Sequence, residues 1–535
     1  MTGWLAALRL TLVLGLQSPL GQAGATRPSA AEATLSGAST VVTFRIASAM
    51  LWLLVLWSSW NCIALYSDGS WFMLRVVDRG FFVNYDHARS YALRLWQVPL
   101  VFALQAGVTD LQWLAKAYSF GTLLLPAALY QLALLRSRDD AALMVGVIAA
   151  IAAVFSTSFM FSVGEYSTAY ATAVAAMAFC ARRDTARLTD GIVMLVLGVL
   201  SVRTYEIFYH LGPLLAALLV WRASRASSWS DLVSRWPVPA AVLLMGLPIL
   251  AVALGWAGSF VLPAAVAVFI AGALSAAWLL PARTGVVAAV VHLGAAALFM
   301  SSSAFSVVSI HLRGGPLLLK MVALDAVGFW QSPPTDIAFL SLGLLVICAL
   351  ARPGLLHGRW PFLLAALPLP LLALMPLFQA SGWPHKPLIT VHYLSRMLGG
   401  MAVVAMLVIA WLRVIEFRRR PRALAILDAP DVQRRALALV VALQIAVLPA
   451  ALYAGFEWRA MLGDLRAVLQ DNRGVMLFRD LPPTILRFFW DESDSSFIGF
   501  LSRSLQGGST DALVAPPMDI TNEPVPSLPG YHWRD

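Results

Sequence analysis

The amino-acid sequence predicts an all-α polytopic membrane protein. Of its 535 residues, 60% are hydrophobic and only 12% are charged, whereas about a quarter of the residues of a soluble domain are charged. Apolar runs long enough to cross a hydrocarbon core of ~30 Å, which takes about 20 helical residues, recur along most of the chain. The runs lack the alternation of apolar and polar residues that a membrane β-barrel requires, so each is expected to be a helix.

The apolar runs predict about 11 to 13 transmembrane helices, several of them short. The first confident run ends at Leu65, with Trp57 and Trp60 toward its far interface. Segment 95–108 is short and contains Pro99, so it fits an interfacial helix better than a crossing. The predicted spans are 44–65, 111–135, 141–162, 167–181, 189–204, 206–221, 237–256, 259–280, 285–308, 336–351, 360–378, 394–412 and 436–455.

Basic residues predict the orientation of the chain. The formal net charge is +10, and the basic residues form short clusters between apolar runs, which is typical of cytoplasmic loops and does not indicate nucleic-acid binding. With these clusters inside, the N-terminus is cytoplasmic and the C-terminus extracytoplasmic, in a cell (inner) membrane. The clusters are Arg136 and Arg138; Arg182, Arg183 and Arg187; Arg222, Arg225 and Arg235; Arg283; Arg352 and Arg359; and the arginines of 413–435.

This orientation divides the chain into three parts. Residues 1–43 are expected to form a flexible cytoplasmic leader, and a cleaved signal within residues 1–25 stays an alternative. Residues 44–455 form the predicted transmembrane domain, with a first external loop at 66–110. Residues 456–535 form an extracytoplasmic C-terminal region.

The three cysteines are expected to be buried free thiols. Cys62, Cys180 and Cys348 each lie within or at the edge of an apolar run, and their spacing fits neither a metal site nor a CxxC motif.

The first external loop contains the most polar stretch of the chain, residues 66–97, and Asp68 is its leading candidate for chemistry. A partly desolvated carboxylate at the membrane rim is well placed to accept a proton from an acceptor hydroxyl or to orient that hydroxyl. The alternative is that Asp68 is an ordinary cap of a helix that begins near Ser70.

Further along the loop, Asp86 and His87 are the second candidates. They follow Phe81, Phe82 and Tyr85, which either form a platform for a sugar or pack the loop onto the bilayer. Asp78 and Arg79 are expected to form a surface pair.

Other acids lie at the predicted outer ends of the spans. Glu165 is one of them. Arg203 and Glu206 are three residues apart, a spacing that would place them on one helix face. A charged pair at membrane depth is either an internal salt bridge or part of a polar cavity.

Several basic residues fall on the predicted outer side, where the positive-inside rule disfavours them, among them Arg313, Lys320, Lys386, His392 and Arg396. Arg and Lys hold phosphate through charge-assisted hydrogen bonds. The alternative is that they extend to anionic lipid headgroups. Arg396 is the preferred candidate because it lies just inside an apolar run.

Several catalytic signatures are missing from the sequence. It has no Walker A motif, no GxGxxG followed by an acidic residue, no HExxH, and no GxSxG on a soluble domain. The sequence therefore does not favour ATP-driven transport, zinc proteolysis, or catalysis by a serine or cysteine nucleophile.

The overall plan resembles the GT-C superfamily of integral membrane glycosyltransferases. The resemblance covers a first span, a long first external loop that opens with an acidic residue, about 11 to 13 spans and an external C-terminal region. It implies a GT-C-like fold and the transfer of a sugar from a polyprenyl-phosphate donor to a hydroxyl group, with inversion, on the extracytoplasmic face. The acceptor would be a glycan, a lipid or a protein.

The same resemblance implies roles for individual residues. Asp68 would activate the acceptor, and Arg396, with help from Lys386 or Arg313, would hold the donor phosphate. Nothing in the sequence requires a metal, and a divalent cation is left open.

Two other functions stay open. A transporter or flippase of a lipid-linked or small polar substrate would place ionisable residues at mid-membrane, and Arg203 and Glu206 fit that reading. A polysaccharide polymerase or ligase would also act on lipid-linked sugars outside the membrane.

Overall fold

The computed structural model describes residues 30–84, 89–156, 159–161, 163, 165–181, 187–205, 207–225, 284–312, 429–489, 497–508, 512–515 and 524–534, and isolated positions at 266–279 and 400–413. This part of the chain is mostly helical. Four of its helices are long and apolar enough to cross a membrane, and shorter apolar helices accompany them. The prediction of an all-α membrane protein is confirmed at this level.

Within the first described stretches, from Ala30 to Ser224, the elements follow one another closely. A 3₁₀ turn at Ile63–Leu65 follows α1, and a π-helical segment at Ile151–Ser156 continues α5. In chain order the elements are α1 (Ala30–Trp60), α2 (Gly69–Arg79), α3 (Ser90–Gln105), α4 (Leu111–Ser137), α5 (Ala141–Ala150), α6 (Glu165–Cys180), α7 (Leu188–Val202), α8 (Phe208–Ser224), α9 (Thr284–Leu312), α10 (Pro430–Asp471), β1 (Val475–Leu477), α11 (Pro483–Leu486), α12 (Ile498–Ser504) and β2 (Leu513–Ala515).

The bounds of two helices differ from the predicted spans. Helix α1 begins at Ala30, inside the predicted leader. Helix α10 continues past residue 455 to Asp471, because its second half is amphipathic: Trp458, Leu462 and Leu465 are buried at helical spacing. A search for continuous apolar runs does not detect such a segment. The predicted spans 237–256, 259–280, 336–351, 360–378 and 394–412 lie wholly or largely outside the described residues.

Small residues bring the helices of the bundle close together. Helix α9 packs against α7 and α8, and α4 packs against α1, α3 and α6. A Cβ atom at Gly212 of α8 would lie 2.4 Å from the Phe299 carbonyl oxygen of α9, and one at Gly198 of α7 would lie 2.8 Å from the Leu298 Cβ. Close backbone approach of this kind is the usual means of helix association in membranes.

Charged contacts define one end of the bundle. Asp190 at the start of α7 forms ion pairs with Arg136 near the end of α4 and with Arg222 near the end of α8, the second at 2.9 Å. Arg413 pairs with Asp140, the N-cap of α5, at 2.8 Å. These arginines belong to the predicted inside clusters, so we call this the arginine end. The opposite end, which carries residues 61–110, is the loop end.

The C-terminal region packs on the loop end. Strands β1 and β2 form a parallel pair, with Met476 opposite Val514, and α12 packs against α2. The backbone N–H of Leu111 donates to the His532 carbonyl at 2.8 Å, and the N–H of His532 donates to the Thr109 carbonyl at 3.3 Å. The first loop and the C-terminal region therefore lie at the same end of the bundle.

Candidate functional site

A sharp turn places Asp68 at the start of α2. The preceding Ser67 has a φ of +53°, and Cys62 has a φ of +54°, a left-handed conformation that non-glycine residues seldom adopt. Such conformations concentrate at functional sites. The Asp68 carbonyl accepts a hydrogen bond from the Phe72 N–H at 3.2 Å. A helix that begins beside Asp68 is thus confirmed, although the Asp68 side chain makes no capping hydrogen bond.

Gly69 explains why the turn is so tight. A Cβ atom at this position would lie 1.7 Å from the Ala64 carbonyl oxygen, which is far inside van der Waals contact. Only glycine allows the start of α2 to pack against the 3₁₀ turn in this way. The backbone position of the half-buried Asp68 is therefore set by this close contact.

Asp68 and Glu165 lie in the same part of the loop end, near the buried phenol of Tyr118. Tyr118 of α4 is 1% exposed, and its phenol lies within electrostatic range of both Asp68 and Glu165. Asp68 comes from the first loop and Glu165 from the start of α6, so segments distant in sequence meet here. Carboxylates in such a position are candidates for general acid–base chemistry.

Arg89 joins the beginning of α3 to this group. Its guanidinium donates to the Glu165 carboxylate at 3.3 Å, and the two side chains are 28% and 13% exposed. The Arg89 Cζ atom also lies 5.2 Å from the centre of the Tyr205 ring. The pair is partly shielded from water, which strengthens it relative to a surface ion pair.

Arg203 lies next to these residues, in the turn after α7. Its carbonyl accepts a hydrogen bond from the Tyr91 N–H at 3.0 Å, and its Cζ atom lies 4.9 Å from the centre of the Phe305 ring. Burial lowers the pKa of the Arg203 guanidinium, an effect that Tyr91 opposes and the like charge of Arg94 reinforces. Burial also raises the pKa of the Tyr91 phenol.

The prediction that Arg203 and Glu206 lie on one helix face is wrong. Helix α7 ends at Val202, and Arg203 has a non-helical backbone with φ −135° and ψ 45°. The chain must reverse between α7 and α8, so helical spacing does not apply at this position. Arg203 nevertheless lies at the loop end, whereas Glu206 lies outside the described residues.

Buried polar side chains hold the site together. The Gln97 side chain accepts from the Val83 N–H and donates to the Val83 carbonyl, both at 2.8 Å, which fixes the loop to α3. The Trp96 indole donates to the Thr168 hydroxyl at 3.1 Å, which fixes α3 to α6. Sequence patterns missed Tyr118, Gln97 and Thr168 because each lies within a largely apolar helix, and only the buried position of these polar groups distinguishes them.

The C-terminal region covers the helix that follows Asp68. The Ser70 hydroxyl donates to the Phe497 carbonyl at 3.4 Å, and the Arg75 guanidinium donates to the Pro524 carbonyl at 3.3 Å. Asp78 and Arg79, the predicted surface pair, are exposed at the end of the same helix.

The aromatic residues of the C-terminal region serve in packing. The Trp458 indole donates to the Cys62 carbonyl at 3.2 Å, and its ring lies 5.3 Å from that of Tyr66 and 5.7 Å from that of Phe488. Trp458 and Phe488 are buried. The region is therefore anchored by its core to the turn that carries Asp68.

The prediction of buried free thiols is confirmed for Cys62 and Cys180. Burial raises the pKa of Cys62 to about 12, although Lys116 and Arg459 oppose the shift. Cys348 lies outside the described residues.

The remaining predicted site residues lie outside the described part of the chain. In the described part, no three His, Cys, Asp or Glu side chains are grouped so that they could hold a metal ion. The predicted residues outside it are Asp86, His87, Glu206, Arg313, Lys386, His392 and Arg396.

An open pocket of about 380 Å³ lies near the site, at the start of α4. Asp110 and Gln112 contribute polar groups, Trp113 contributes an exposed ring, and Arg534 comes from the C-terminal region. Val108 and Thr109 complete the lining, which does not include Asp68. The pocket is thus a second feature of the loop end.

No protein-family model, no curated protein and no solved structure matches this chain. The geometry and charge of the loop end are therefore the grounds for a functional proposal.

Proposed function

We propose that the protein is an integral membrane glycosyltransferase that moves a sugar from a polyprenyl-phosphate donor to a hydroxyl acceptor. The observation that carries the proposal is that Asp68 and Glu165, from distant segments of the chain, lie in the same part of the loop end. A Cβ atom at Gly69, next to Asp68, would lie 2.9 Å from the side chain of Val163, two residues before Glu165, and both acids act electrostatically on the buried Tyr118 phenol. Enzymes of this class need a carboxylate beside the acceptor hydroxyl and a site at the membrane rim, where a lipid-linked donor arrives. The strained turn at Ser67 and the covering C-terminal region also fit such a site.

In the proposed reaction, Asp68 accepts the proton of the acceptor hydroxyl. The acceptor oxygen forms a bond to the anomeric carbon, and the bond from that carbon to the phosphate oxygen breaks, so polyprenyl phosphate leaves with the electron pair. Attack opposite the leaving group inverts the anomeric centre. Glu165, held by Arg89 at 3.3 Å, orients the acceptor from the other side.

The donor phosphate requires cations at the same end. The sequence still proposes four ligands for the donor phosphate: Arg396, Lys386, Arg313 and His392. Arg203, which is partly buried beside Phe305 and Tyr91, is a further candidate from the described residues, because a desolvated guanidinium binds phosphate strongly.

The test is turnover in proteoliposomes with a panel of polyprenyl-phosphate sugars, measured as release of polyprenyl phosphate. Asp68→Asn should lower the rate by a factor of about 10² to 10⁴, the usual contribution of general base catalysis. Asp78→Asn is the matched control, because Asp78 is an exposed acid on the same helix, and it should keep normal turnover. Full turnover by Asp68→Asn would rule out its role as the base.

A transporter or flippase is the second candidate, and one observation favours it. The apolar helix α5 continues into the π-helical segment Ile151–Ser156, and irregular helices often line transport pathways. The same proteoliposomes separate the two functions. A transporter moves the lipid-linked sugar between leaflets and releases no polyprenyl phosphate. A transferase consumes the lipid-linked sugar and releases polyprenyl phosphate. A polymerase or ligase would instead give products that contain several sugar units.

A further inference from the structure

Two cations and two tryptophan rings form a continuous stack at the loop end. The Lys116 Nζ atom of α4 lies 4.9 Å from the centre of the Trp60 ring of α1 and 4.7 Å from that of the Trp113 ring. The Arg459 Cζ atom of α10 lies 5.1 Å from the centre of the same Trp60 ring. We call these four residues the cation–tryptophan rim. Since three helices contribute to it, the rim depends on the folded bundle.

The rim stands at the end of an exposed apolar surface. Trp60 is 55% exposed and Trp113 is 60% exposed. Below Trp60, Leu53 and Leu56 are exposed on the same stripe of α1. Below Arg459, Phe456 is exposed one helical turn away on α10. An apolar surface that ends in tryptophan and cations is typical of the boundary between hydrocarbon and headgroups.

The positive charge of the rim is not neutralised by the described residues. Lys116 donates to the Gln112 side-chain oxygen at 3.3 Å, and Arg459 donates to the Trp60 carbonyl at 3.5 Å. Neither cation forms an ion pair within the described part of the chain. Aromatic rings orient cations but leave their net charge in place. Two positive charges therefore face the same side of the bundle.

The open pocket at the start of α4 adjoins the rim. Trp113 belongs to both, and Arg534 adds a third cation on the pocket side. Asp110 also lines the pocket, and its carboxylate accepts the Gln112 N–H at 2.8 Å as the N-cap of α4. Among the described residues, it forms no ion pair with Lys116 or Arg459.

We propose that the cation–tryptophan rim binds the headgroup phosphate of an anionic phospholipid, whose acyl chains lie along Leu53, Leu56 and Phe456. The charge selects an anion, and the apolar stripe directly below it selects an anion that carries acyl chains. This lipid site is separate from Asp68 and does not depend on sugar transfer. It requires only that the bundle lies in a membrane.

The experiment measures the thermal stability of the purified full-length protein in neutral detergent during titration with short-chain phosphatidylglycerol or phosphatidylcholine. Phosphatidylglycerol should raise the melting temperature saturably and phosphatidylcholine should not. The double variant Lys116→Gln/Arg459→Gln should bind phosphatidylglycerol about 30-fold more weakly, since each cation near an anionic lipid contributes a factor of about five. Arg479→Gln is the control, because Arg479 is a highly exposed cation of the C-terminal region outside the rim.

Three results would overturn the proposal. The first is equal affinity of the wild type and the double variant for phosphatidylglycerol. The second is an equal effect of phosphatidylcholine, which would show that charge plays no part. The third is an equal shift with glycerol phosphate, which would indicate a site for soluble anions. If the double variant cannot be purified, each single variant should bind about fivefold more weakly, and unchanged affinity in both would also reject the lipid site.

Discussion

The guanidinium carbon of Arg75 lies 5.8 Å from the centre of the Phe500 ring, which joins the helix that follows Asp68 to the C-terminal region. The same guanidinium donates to the Pro524 carbonyl at 3.3 Å. One side chain therefore contacts two separate segments of the region that covers the candidate site.

Replacement of this arginine should loosen the C-terminal region. Arg75→Ala removes both contacts, so we expect residues 524–534 to be cleaved by protease several times faster and to exchange amide hydrogen faster. Arg79→Ala, on the exposed end of the same helix, is the control and should match the wild type. Unchanged cleavage in Arg75→Ala would show that other contacts alone hold the region.

Gly69 should tolerate no side chain. In Gly69→Ala, the new methyl group would lie 1.7 Å from the Ala64 carbonyl oxygen, so the turn must open, and we expect a loss of about 3 kcal/mol or more of unfolding free energy. Gly463→Ala is a suitable contrast, because nothing lies within 4 Å of its added Cβ. It should stabilise α10 by about 1 kcal/mol. Thermal unfolding in detergent measures both, and a stable Gly69→Ala protein would contradict the described turn.

The Arg89 and Glu165 pair should show energetic coupling. Both side chains are partly shielded, at 28% and 13% exposure, so we expect a coupling of about 1 kcal/mol, between the values for exposed and buried pairs. A double-mutant cycle with Arg89→Ala and Glu165→Gln measures it through unfolding free energies. Strictly additive effects would mean that the ion pair contributes nothing to stability.

Asp190 should be critical at the arginine end. Arg136 and Arg222 both pair with it, and all three side chains are at most 10% exposed. Asp190→Asn leaves two buried cations without their carboxylate, which should cost about 3 to 5 kcal/mol. Asp139→Asn should cost at most about 1 kcal/mol, because Asp139 and its partner Arg138 are 72% and 56% exposed. Similar stability of the two variants would refute the buried cluster.

The Cys62 thiol should resist alkylation in the folded protein. Burial raises its pKa from 9.0 to about 12, so at pH 9 the folded thiol stays protonated, whereas an exposed thiol would be about half ionised and reactive. Peptide-resolved mass spectrometry after maleimide treatment at pH 9 should find Cys62 unmodified until the protein is unfolded. Rapid labelling of Cys62 in the native protein would contradict its burial.

Hydrophobic runs predicted several of the described helices. The span 111–135 corresponds to α4 at Leu111–Ser137, because a long apolar run flanked by Asp110 and Arg136 carries both its cap and its end. The amphipathic end of α10 was not predicted, because its apolar residues recur at helical spacing on one face and form no continuous run.

The candidate site was predictable only in part. Asp68 and Glu165 stood out because acids are rare at span ends. Their meeting at Tyr118 depends on the packing of α4 against α6 and the first loop, which no local pattern encodes. The helix face assigned to Arg203 and Glu206 failed for a related reason, because residue spacing does not show where the chain turns between α7 and α8.

Helix α10 has 42 residues, which at 1.5 Å per residue gives a rod of about 63 Å. The hydrocarbon core of a bilayer is only ~30 Å thick. About half of this helix must therefore lie outside the hydrocarbon. The Trp458 indole, in the second half of the helix, donates a hydrogen bond to the Cys62 carbonyl in the turn before Asp68. The outer part of α10 is therefore an anchor for the turn that carries Asp68, and the same helix joins that turn to the membrane-spanning bundle.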